Sequence, residues 1–322
     1  TMSVDNDDNE LKDDCRVCVV GATGHLGIAV VRALRSRGFS VVAVARNSHS
    51  QNVNELIQKG ARVDFVDASD SSSSNYDSAL SSATAAISCL AASPTRCDAS
   101  NDFWAIDRDA NIRFGHQAIV AGVRHLILVA TFEGKDSRKV SAFSAAKEQA
   151  VDTLRQECNA LQVTFTVIRP NAYFKDLTDR TFDRVRSKLQ HNIIGAGNCR
   201  INPISREDVA DVIVDCVVKR QGGDLFLGGP NTYSFREIGI LAAQIMGKER
   251  ELQIFQVSLW KLRLKSVMYW GLGLFSRFFR RQAALLNWMI YASTHDAIAP
   301  RVGTRHLRDY YTQKWSAIQS QV

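Results

Sequence analysis

The sequence predicts an α/β fold, in which a parallel sheet is wound on both faces by helices and followed by a smaller, mainly helical C-terminal part. The first observation is a buried, β-branched strand at 16–20 that runs through three glycines into an amphipathic helix. The second is the alternation of strands and helices through the first half of the chain. The third is a length of 322 residues, which exceeds the usual size of one core. We therefore expect one large, doubly wound α/β domain that carries a smaller substrate-binding part.

The glycine turn after the first strand is the pattern that places a dinucleotide pyrophosphate on a helix N-terminus. One glycine permits the tight turn, another lets the backbone approach the phosphates, and a third lets the helix pack close to the strand. Unpaired N–H groups and the positive end of the helix dipole then face the anion. A glycine triplet also suits any tight strand-to-helix turn. The expected contacts to the cofactor are Gly21, Thr23, Gly24, His25, Leu26 and Gly27.

Arg46 follows the second predicted strand, at 40–45, where an NAD-type site usually carries an acid for the ribose 2′-hydroxyl. An arginine cannot accept that hydrogen bond, but its planar fork fits a 2′-phosphate. This position favours NADPH as the cofactor. The alternative is a solvated arginine at the end of a strand.

The next two predicted strands add residues to the cofactor site. A strand at 63–66 ends at Asp67, which would bond the adenine edge or would simply occupy a loop. A strand at 85–89 leads to Leu90 and Ala91, where apolar side chains would let adenine and ribose approach the strand ends. The carboxyl ends of these strands are where open α/β sheets bind ligands.

The remaining elements divide the chain. Helices are predicted at 104–121 and 143–157, with strands at 126–130 and 163–168, and Ser205 reads as a helix N-cap. We expect an acidic tail at 1–14, an NADP(H)-binding domain at 15–170 to which 203–230 returns, and a substrate-binding part at 171–202 and 231–322.

Charge and cysteine content limit the partners and the compartment. The net charge is +7, but no recognition helix, zinc spacing or aromatic ribonucleoprotein motif supports nucleic-acid binding. Seven cysteines cannot all pair internally, and the start lacks a basic and then apolar secretory signal, so we expect an intracellular, cytoplasmic location. Cys15 and Cys18 mimic a C-x-x-C site. Side chains three apart on a strand lie on opposite faces, so we expect no metal site.

The segment 259–291 interleaves aromatic residues with lysine and arginine, and 252–295 contains no aspartate or glutamate. Its longest uncharged run, 266–276, has 11 residues, far short of the roughly 20 that span a bilayer. We expect no transmembrane segment. Three interpretations remain open: an amphipathic helix pair packed on the domain, a wall for a large apolar or anionic substrate, and an interfacial membrane contact.

Further pieces of sequence complete a family pattern. They are Val42-Ala-Val-Ala-Arg46, Trp104-Ala-Ile-Asp107, Phe143-Ser-Ala-Ala-Lys147, Val167-Ile-Arg169-Pro170-Asn171-Ala-Tyr173-Phe174-Lys175, Pro203-Ile-Ser205 and Gly228-Gly229-Pro230. With the glycine turn, they make 15–250 resemble the atypical short-chain dehydrogenase/reductases, most closely the divinyl chlorophyllide 8-vinyl reductases and their NmrA-like relatives. The resemblance implies a Rossmann-type fold, bound NADPH and hydride delivery to a conjugated carbon–carbon double bond in a large ring.

One position departs from the wider family. Typical members carry Tyr-x-x-x-Lys on one helix face, where the tyrosine acts as an acid and the lysine holds the ribose and lowers the tyrosine pKa. Here Phe143 stands in the tyrosine position, four residues before Lys147. Because phenylalanine cannot transfer a proton, we do not expect alcohol oxidation or ketone reduction by that pair. Lys147 would still bond the nicotinamide ribose, the alternative being a helix-surface lysine.

The resemblance places other polar residues near the nicotinamide. Thr131 lies near the usual serine position and would supply a polar contact. Tyr173, just past Pro170 and Asn171, is the favoured substitute acid, although it would serve equally by packing over the cofactor. We therefore expect Lys147, Tyr173 and Thr131 to be the catalytic residues, with Pro170 and Asn171 added to the cofactor contacts.

These observations favour an NADPH-dependent reductase that acts on a conjugated double bond of a large, mostly apolar small-molecule substrate. Two alternatives stay open. One is an NADP(H)-binding enzyme of specialised metabolism that reduces an imine or catalyses an isomerisation or cyclisation by orientation and electrostatics. The other is a nonenzymatic NADP(H) sensor, which the missing tyrosine favours; fold alone does not decide between them.

Overall fold

The computed structural model describes residues 15–49, 51–72, 74–92, 102–132 and 134–320, and it confirms the α/β fold. The predicted tail at 1–14 lies outside this range. The strands are β1 (Arg16–Val20), β2 (Ser40–Ala45), β3 (Arg62–Phe65), β4 (Ala83–Ser88), β5 (His125–Val129), β6 (Thr164–Pro170), β7 (Gln190–Ile194), β8 (Arg200–Ile201), β9 (Gly223–Leu227), β10 (Tyr233–Ser234) and β11 (Gln253–Val257).

The helices alternate with the strands through the first half of the chain, as the sequence pattern predicts. Two π-helical segments, Trp104–Ala110 and Phe174–Thr178, and a 3₁₀ turn at Glu249–Glu251 accompany them. The α-helices are α1 (His25–Ser36), α2 (Gln51–Gln58), α3 (Asp77–Leu80), α4 (Asn111–Val120), α5 (Gly134–Ser137), α6 (Ala142–Ala160), α7 (Asp179–Lys188), α8 (Arg206–Lys219), α9 (Phe235–Ile245), α10 (Leu259–Leu272), α11 (Arg277–Ala292) and α12 (Leu307–Gln319).

A seven-stranded sheet has the strand order β3-β2-β1-β4-β5-β6-β9. The pairs from β3 through β6 are all parallel. The strands β1 and β5 are almost wholly buried, which explains why their sequences are continuous apolar runs rather than alternating ones. Phe114, Leu126 and Leu154 join these strands to the flanking helices in one apolar core.

The described chain forms two compact units. Unit 1 consists of the described residues within Thr1–Ala130, Ala146–Ile168 and Val209–Leu225, and unit 2 of those within Thr131–Ala145, Arg169–Asp208 and Phe226–Val322. Unit 1 contains most of the large sheet and its helices.

Unit 2 has a core of its own and two small sheets. The strands β7 and β11 pair in parallel, and β8 and β10 pair in antiparallel fashion. Phe182 of α7 and Tyr311 of α12 are fully buried, with ring centroids 4.9 Å apart. The Tyr311 hydroxyl donates to the Thr178 carbonyl at 3.0 Å, which satisfies its polar end. Unit 2 is therefore an organised body rather than a loose tail.

Candidate cofactor site

The glycine turn lies at the switch point of the sheet. The strand β1 pairs with β2 on one side and with β4 on the other, so successive crossovers leave β1 in opposite directions. Loops at the carboxyl ends of β1 and β4 then diverge and leave a crevice, the place where open α/β sheets bind ligands. Gly21 follows β1 directly, and Leu90 lies just beyond β4.

Each glycine of the turn has a distinct steric reason. Gly21 has a φ of +73°, and a Cβ there would lie 2.9 Å from the carbonyl carbon of Cys89. A Cβ at Gly24 would lie 3.1 Å from the Gly21 oxygen, and one at Gly27 only 2.2 Å from the same oxygen. Backbone atoms cannot yield as a flexible side chain would. The turn is therefore closed to side chains at the positions that the sequence pattern selects.

The N-terminus of α1 suits an anionic ligand. Gly24 is the N-cap, with extended backbone and no side chain to cap the helix, and the first turn contains no acidic residue. The Asn52 amide donates to the Thr23 carbonyl at 2.8 Å, which anchors the turn from α2. Gly24 and His25 are exposed, whereas Leu26 and Gly27 are buried against the sheet. This cradle fits a dinucleotide pyrophosphate, because helix-end N–H groups and the helix dipole stabilise an anion.

Arg46 and Asp67 lie together at the carboxyl ends of β2 and β3. The Arg46 Nε lies 3.6 Å from Asp67 Oδ1, and both side chains are more than one-third exposed. Asp67 Oδ1 also accepts from the backbone N–H of Ser69 at 2.9 Å and from its hydroxyl at 2.6 Å. An exposed ion pair contributes about 0–1 kcal/mol, less than the roughly 1.5–3 kcal/mol of a hydrogen bond to a charged group. Asp67 therefore holds Arg46 only weakly.

Lys147 is buried at the other side of the crevice. Its Nζ donates to the Leu90 carbonyl at 2.7 Å and lies 3.0 Å from Asp107 Oδ1. The side chains of Lys147 and Asp107 are 4% and 0% exposed, so Lys147 is not a helix-surface lysine. An ammonium has three donors; the Leu90 carbonyl accepts one of them, and Asp107 Oδ1 is an ion-pair partner, so Lys147 keeps donor capacity for a ligand.

A π-helical segment shapes the wall that carries Asp107. The predicted helix at 104–121 begins as the π-helix Trp104–Ala110 and continues as α4. The Asn111 amide donates to the carbonyls of Ile106 at 3.0 Å and Asp107 at 3.1 Å. These bonds pair backbone carbonyls of the π-helix with a side-chain donor. Asp107 Oδ2 in turn accepts from the Ala92 N–H at 3.1 Å. Asp107 thus connects the loop after β4 with Lys147.

Asp107 and Asn111 are the residues that the sequence analysis missed. Asp107 stood within a quoted motif, but no role was inferred for it. The available signal was that Asp107 and Asn111 share the helical spacing of the apolar residues Ala110, Phe114 and Ala118, which places two polar side chains on the buried face. Ser88 completes the group, because its hydroxyl lies 2.6 Å from Asn111 Oδ1.

Unit 2 carries the other predicted site residues. The Arg169 guanidinium donates to the Thr131 carbonyl at 3.1 Å, and the Thr131 hydroxyl oxygen is buried without a hydrogen-bond partner among the described residues. Pro170 ends β6. Tyr173 forms a β-bridge with Ile204, which fixes its backbone.

Asn171 has an internal role in unit 2. Its amide donates to Asn202 Oδ1 and to the Ala297 carbonyl, each at 2.7 Å. Its backbone N–H donates to the Leu227 carbonyl at 2.8 Å. These contacts tie three distant segments together. A further contact with the cofactor stays a prediction.

Phe143 lies in the first turn of α6, one turn before Lys147 and on the same helix face. Burial raises the pKa of Cys89, beside the glycine turn, to about 12, which disfavours its thiolate near neutral pH. Among the described residues, no cluster of three or more histidine, cysteine or acidic side chains is arranged to hold a metal. No helix in the described ranges has both the length and the apolar character needed to cross a membrane.

The chain belongs to the NAD(P)H-binding family, whose model matches residues 21–220. This range includes the glycine turn, Arg46 and Lys147, and the match confirms the nicotinamide cofactor expected from the sequence.

Individual relatives confirm the resemblance to vinyl reductases. The chain is 28% identical over 320 residues to the chloroplastic divinyl chlorophyllide a 8-vinyl-reductase of Oryza sativa subsp. indica, an alignment that covers 92% of this chain and 77% of that protein. It is 30% identical over 261 residues to the enzyme of the same name from Cucumis sativus, covering 73% and 58%. The triphenylmethane reductase of Citrobacter sp., solved with NADP(H), has a TM-score of 0.67 at 15% identity, covering 92% and 99%. This last likeness shows the fold.

Proposed function

We propose that this chain is an NADPH-dependent reductase that adds hydride to a conjugated carbon–carbon double bond of a large, mostly apolar substrate. The observation that carries the proposal is the combination of an intact cofactor cradle with Phe143 in place of the usual acid. The relatives named as divinyl chlorophyllide a 8-vinyl-reductases support an acceptor of this class. Such an acceptor delocalises the negative charge that hydride addition creates, so it needs no strong acid at position 143.

The described residues suggest how NADPH is held. The first turn of α1 would take the pyrophosphate, and Arg46 would take the 2′-phosphate, with Asp67, Leu90 and Ala91 nearby. Lys147, positioned by Asp107, would donate to the nicotinamide ribose. Bound NADPH supplies the hydride.

Proton supply is the second part of the proposed mechanism. Hydride adds to the β-carbon of the acceptor, the π-electron pair delocalises into the conjugated system, and a proton then adds at the α-carbon. Tyr173 is the proposed donor, with water as the alternative. The buried hydroxyl of Thr131 would give a polar contact to substrate. Pro170 would form part of the cofactor wall.

The test follows NADPH absorbance and product formation with conjugated vinyl acceptors. We expect one NADPH to be oxidised for each double bond reduced. Tyr173→Phe should lower kcat by roughly 10²-fold if Tyr173 is the acid, the lower end for general acid catalysis. The matched control Tyr233→Phe, in β10, should keep wild-type turnover. Phe143→Tyr should bring no gain.

Three outcomes would contradict parts of the proposal. Full activity in Tyr173→Phe would remove tyrosine from the mechanism and leave water as the proton source. Product formation without NADPH oxidation would select the isomerase or cyclase alternative. NADPH binding with no product from any conjugated acceptor or imine would select the nonenzymatic sensor, which Phe143 also permits.

We also propose that the chain works in a reducing intracellular compartment. The cysteines at 15, 18, 89, 158, 199 and 216 are free, and burial raises the pKa of Cys18 and of Cys158 to about 12. The cytoplasm is the location that the sequence favours, whereas the rice and cucumber proteins are named chloroplastic. Imaging the tagged chain in its native cell separates the two.

A further inference from the structure

The helices α10 and α11, with the turn that joins them, carry an unusual share of exposed apolar surface. We call this segment, residues 259–292, the helical hairpin. Ten of the twenty exposed large apolar side chains in the described residues lie within it. They are Trp260, Leu264, Val267, Met268, Trp270, Leu272, Leu274, Phe275, Phe278 and Met289. Such a concentration in one segment points to an interaction surface, whereas scattered exposed residues do not.

The first helix of the hairpin has its apolar stripe on the outside. Trp260, Leu264 and Val267 follow the i, i+4, i+7 spacing of one helix face, and they are 64%, 63% and 66% exposed. Ser266 points the other way, is 5% exposed and hydrogen-bonds Asn287 of α11. A helix in water ordinarily buries its apolar stripe and exposes its polar face. Here the polar pair lies inside, so the outer stripe suits an apolar medium.

The turn of the hairpin is held in place and presents a further aromatic side chain. The Arg280 guanidinium donates to the Gly273 carbonyl at 3.2 and 3.1 Å, and the rings of Tyr269 and Phe279 pack 5.4 Å apart. Phe275, between the two helices, is 91% exposed. Phe275 is therefore exposed on a turn that is held by hydrogen bonds.

Charge indicates what kind of surface the stripe meets. No acidic residue occurs at 252–295, and the segment carries six lysines and arginines. Lys261, Arg263 and Lys265 are exposed and flank the apolar stripe on α10, with Lys261 Nζ 5.7 Å from the centre of the Trp260 ring. An apolar strip bordered by cations and aromatic rings fits a layer of anionic headgroups over hydrocarbon. A second copy of the same face would bring like charges together.

We propose that the helical hairpin binds the surface of an anionic membrane and lies in the plane of the headgroups. Trp260, Leu264, Val267 and Phe275 enter the boundary between headgroups and acyl chains, about 5–10 Å deep. Lys261, Arg263 and Lys265 contact lipid phosphates. With 14 residues, α10 is too short to span a bilayer, which takes roughly 20. The inference does not depend on the proposed reductase activity.

The test is flotation of the full chain with vesicles of phosphatidylcholine alone or mixed with phosphatidylglycerol. We expect binding to the mixed vesicles, weak binding to the neutral ones, and release by salt, because ions screen surface charge. Collisional quenchers placed in the acyl chains should quench tryptophan fluorescence only in the mixed vesicles.

Two sets of variants locate the binding surface. Replacing Lys261, Arg263 and Lys265 by glutamine should weaken binding roughly 100-fold, since each basic residue near an anionic surface contributes about fivefold. The matched control replaces three exposed cations of unit 1, Lys59, Arg124 and Lys219, and should bind as wild type does.

The apolar variant Trp260→Ser/Leu264→Ser/Val267→Ser should lose at least tenfold in vesicle binding. Its control is Ile57→Ser/Val120→Ser/Leu161→Ser, which removes exposed apolar side chains outside the hairpin. Circular dichroism and NADPH binding report whether each variant folds. If the apolar variant fails to fold, the charge variant and the quenching experiment carry the test.

Other results would overturn the proposal. Absence of wild-type flotation with anionic vesicles would do so, and so would equal losses in the hairpin and control variants. Sedimentation that shows a dimer abolished by the hairpin variants, without vesicle binding, would assign the face to a second copy. A raised KM for substrate in those variants, again without vesicle binding, would make the hairpin a substrate wall.

Discussion

The buried pair of Asp107 and Lys147 allows a prediction whose size follows from the structure. The two charged atoms are 3.0 Å apart, and the side chains are 0% and 4% exposed. Asp107→Asn removes the negative charge but leaves an oxygen that still accepts from the Ala92 N–H. The ammonium of Lys147 then remains buried with only neutral acceptors. Breaking one side of a buried ion pair costs about 3–5 kcal/mol, and we expect the lower end because the Leu90 carbonyl stays in place.

The measurement is the free energy of unfolding from urea titration followed by circular dichroism. The matched control is Asp215→Asn, which breaks the Arg37–Asp215 pair, a contact at 2.7 Å with side chains 44% and 43% exposed. That control should lose less than about 1 kcal/mol. A loss in Asp107→Asn as small as in the control would refute the reasoning. The double variant Asp107→Leu/Lys147→Met should recover part of the loss, because no unpaired charge remains.

Three further changes test the cofactor site and the sheet. Arg46→Ala should weaken NADPH binding by about 1–3 kcal/mol in calorimetry and leave NADH binding nearly unchanged, whereas Asp67→Asn should strengthen NADPH binding. Equal losses of affinity for both cofactors in Arg46→Ala would contradict the assignment of Arg46 to the 2′-phosphate. Gly27→Ala should abolish NADPH binding while Gly271→Ala, where a Cβ meets nothing within 4 Å, should bind normally; a Gly27→Ala protein that binds like wild type would make the turn purely structural. Burial lowers the pKa of His125 from 6.5 to about 4, so the unfolded chain takes up the proton first as the pH falls, and the free energy of unfolding should decrease by about 3 kcal/mol between pH 6.5 and 4. His125→Asn should make this decrease smaller, and an unchanged decrease would exclude His125 as its source.

The parts of the fold that were predictable are those with local causes. The continuous apolar run of β1, the positive φ at Gly21 and the close helix packing at Gly27 all belong to one strand–turn–helix unit. The Ser205 cap is equally local, since its hydroxyl accepts from the Asp208 N–H at 2.9 Å at the start of α8. Short-range sterics and hydrogen bonds restrict these residues whatever the rest of the chain does.

The amino-acid sequence by itself determined the α/β class, the glycine turn and the nicotinamide cofactor, because each depends on neighbouring residues and their periodicity. Only the tertiary structure decided which distant groups meet. Lys147 reaches the Leu90 carbonyl across 57 residues, and Asn171 reaches the Ala297 carbonyl across 126. The same holds for the hairpin, because the sequence shows many apolar residues in α10 but not which of them face protein and which face solvent. For a helix of this composition, burial depends on contacts with distant segments, which its own sequence does not specify.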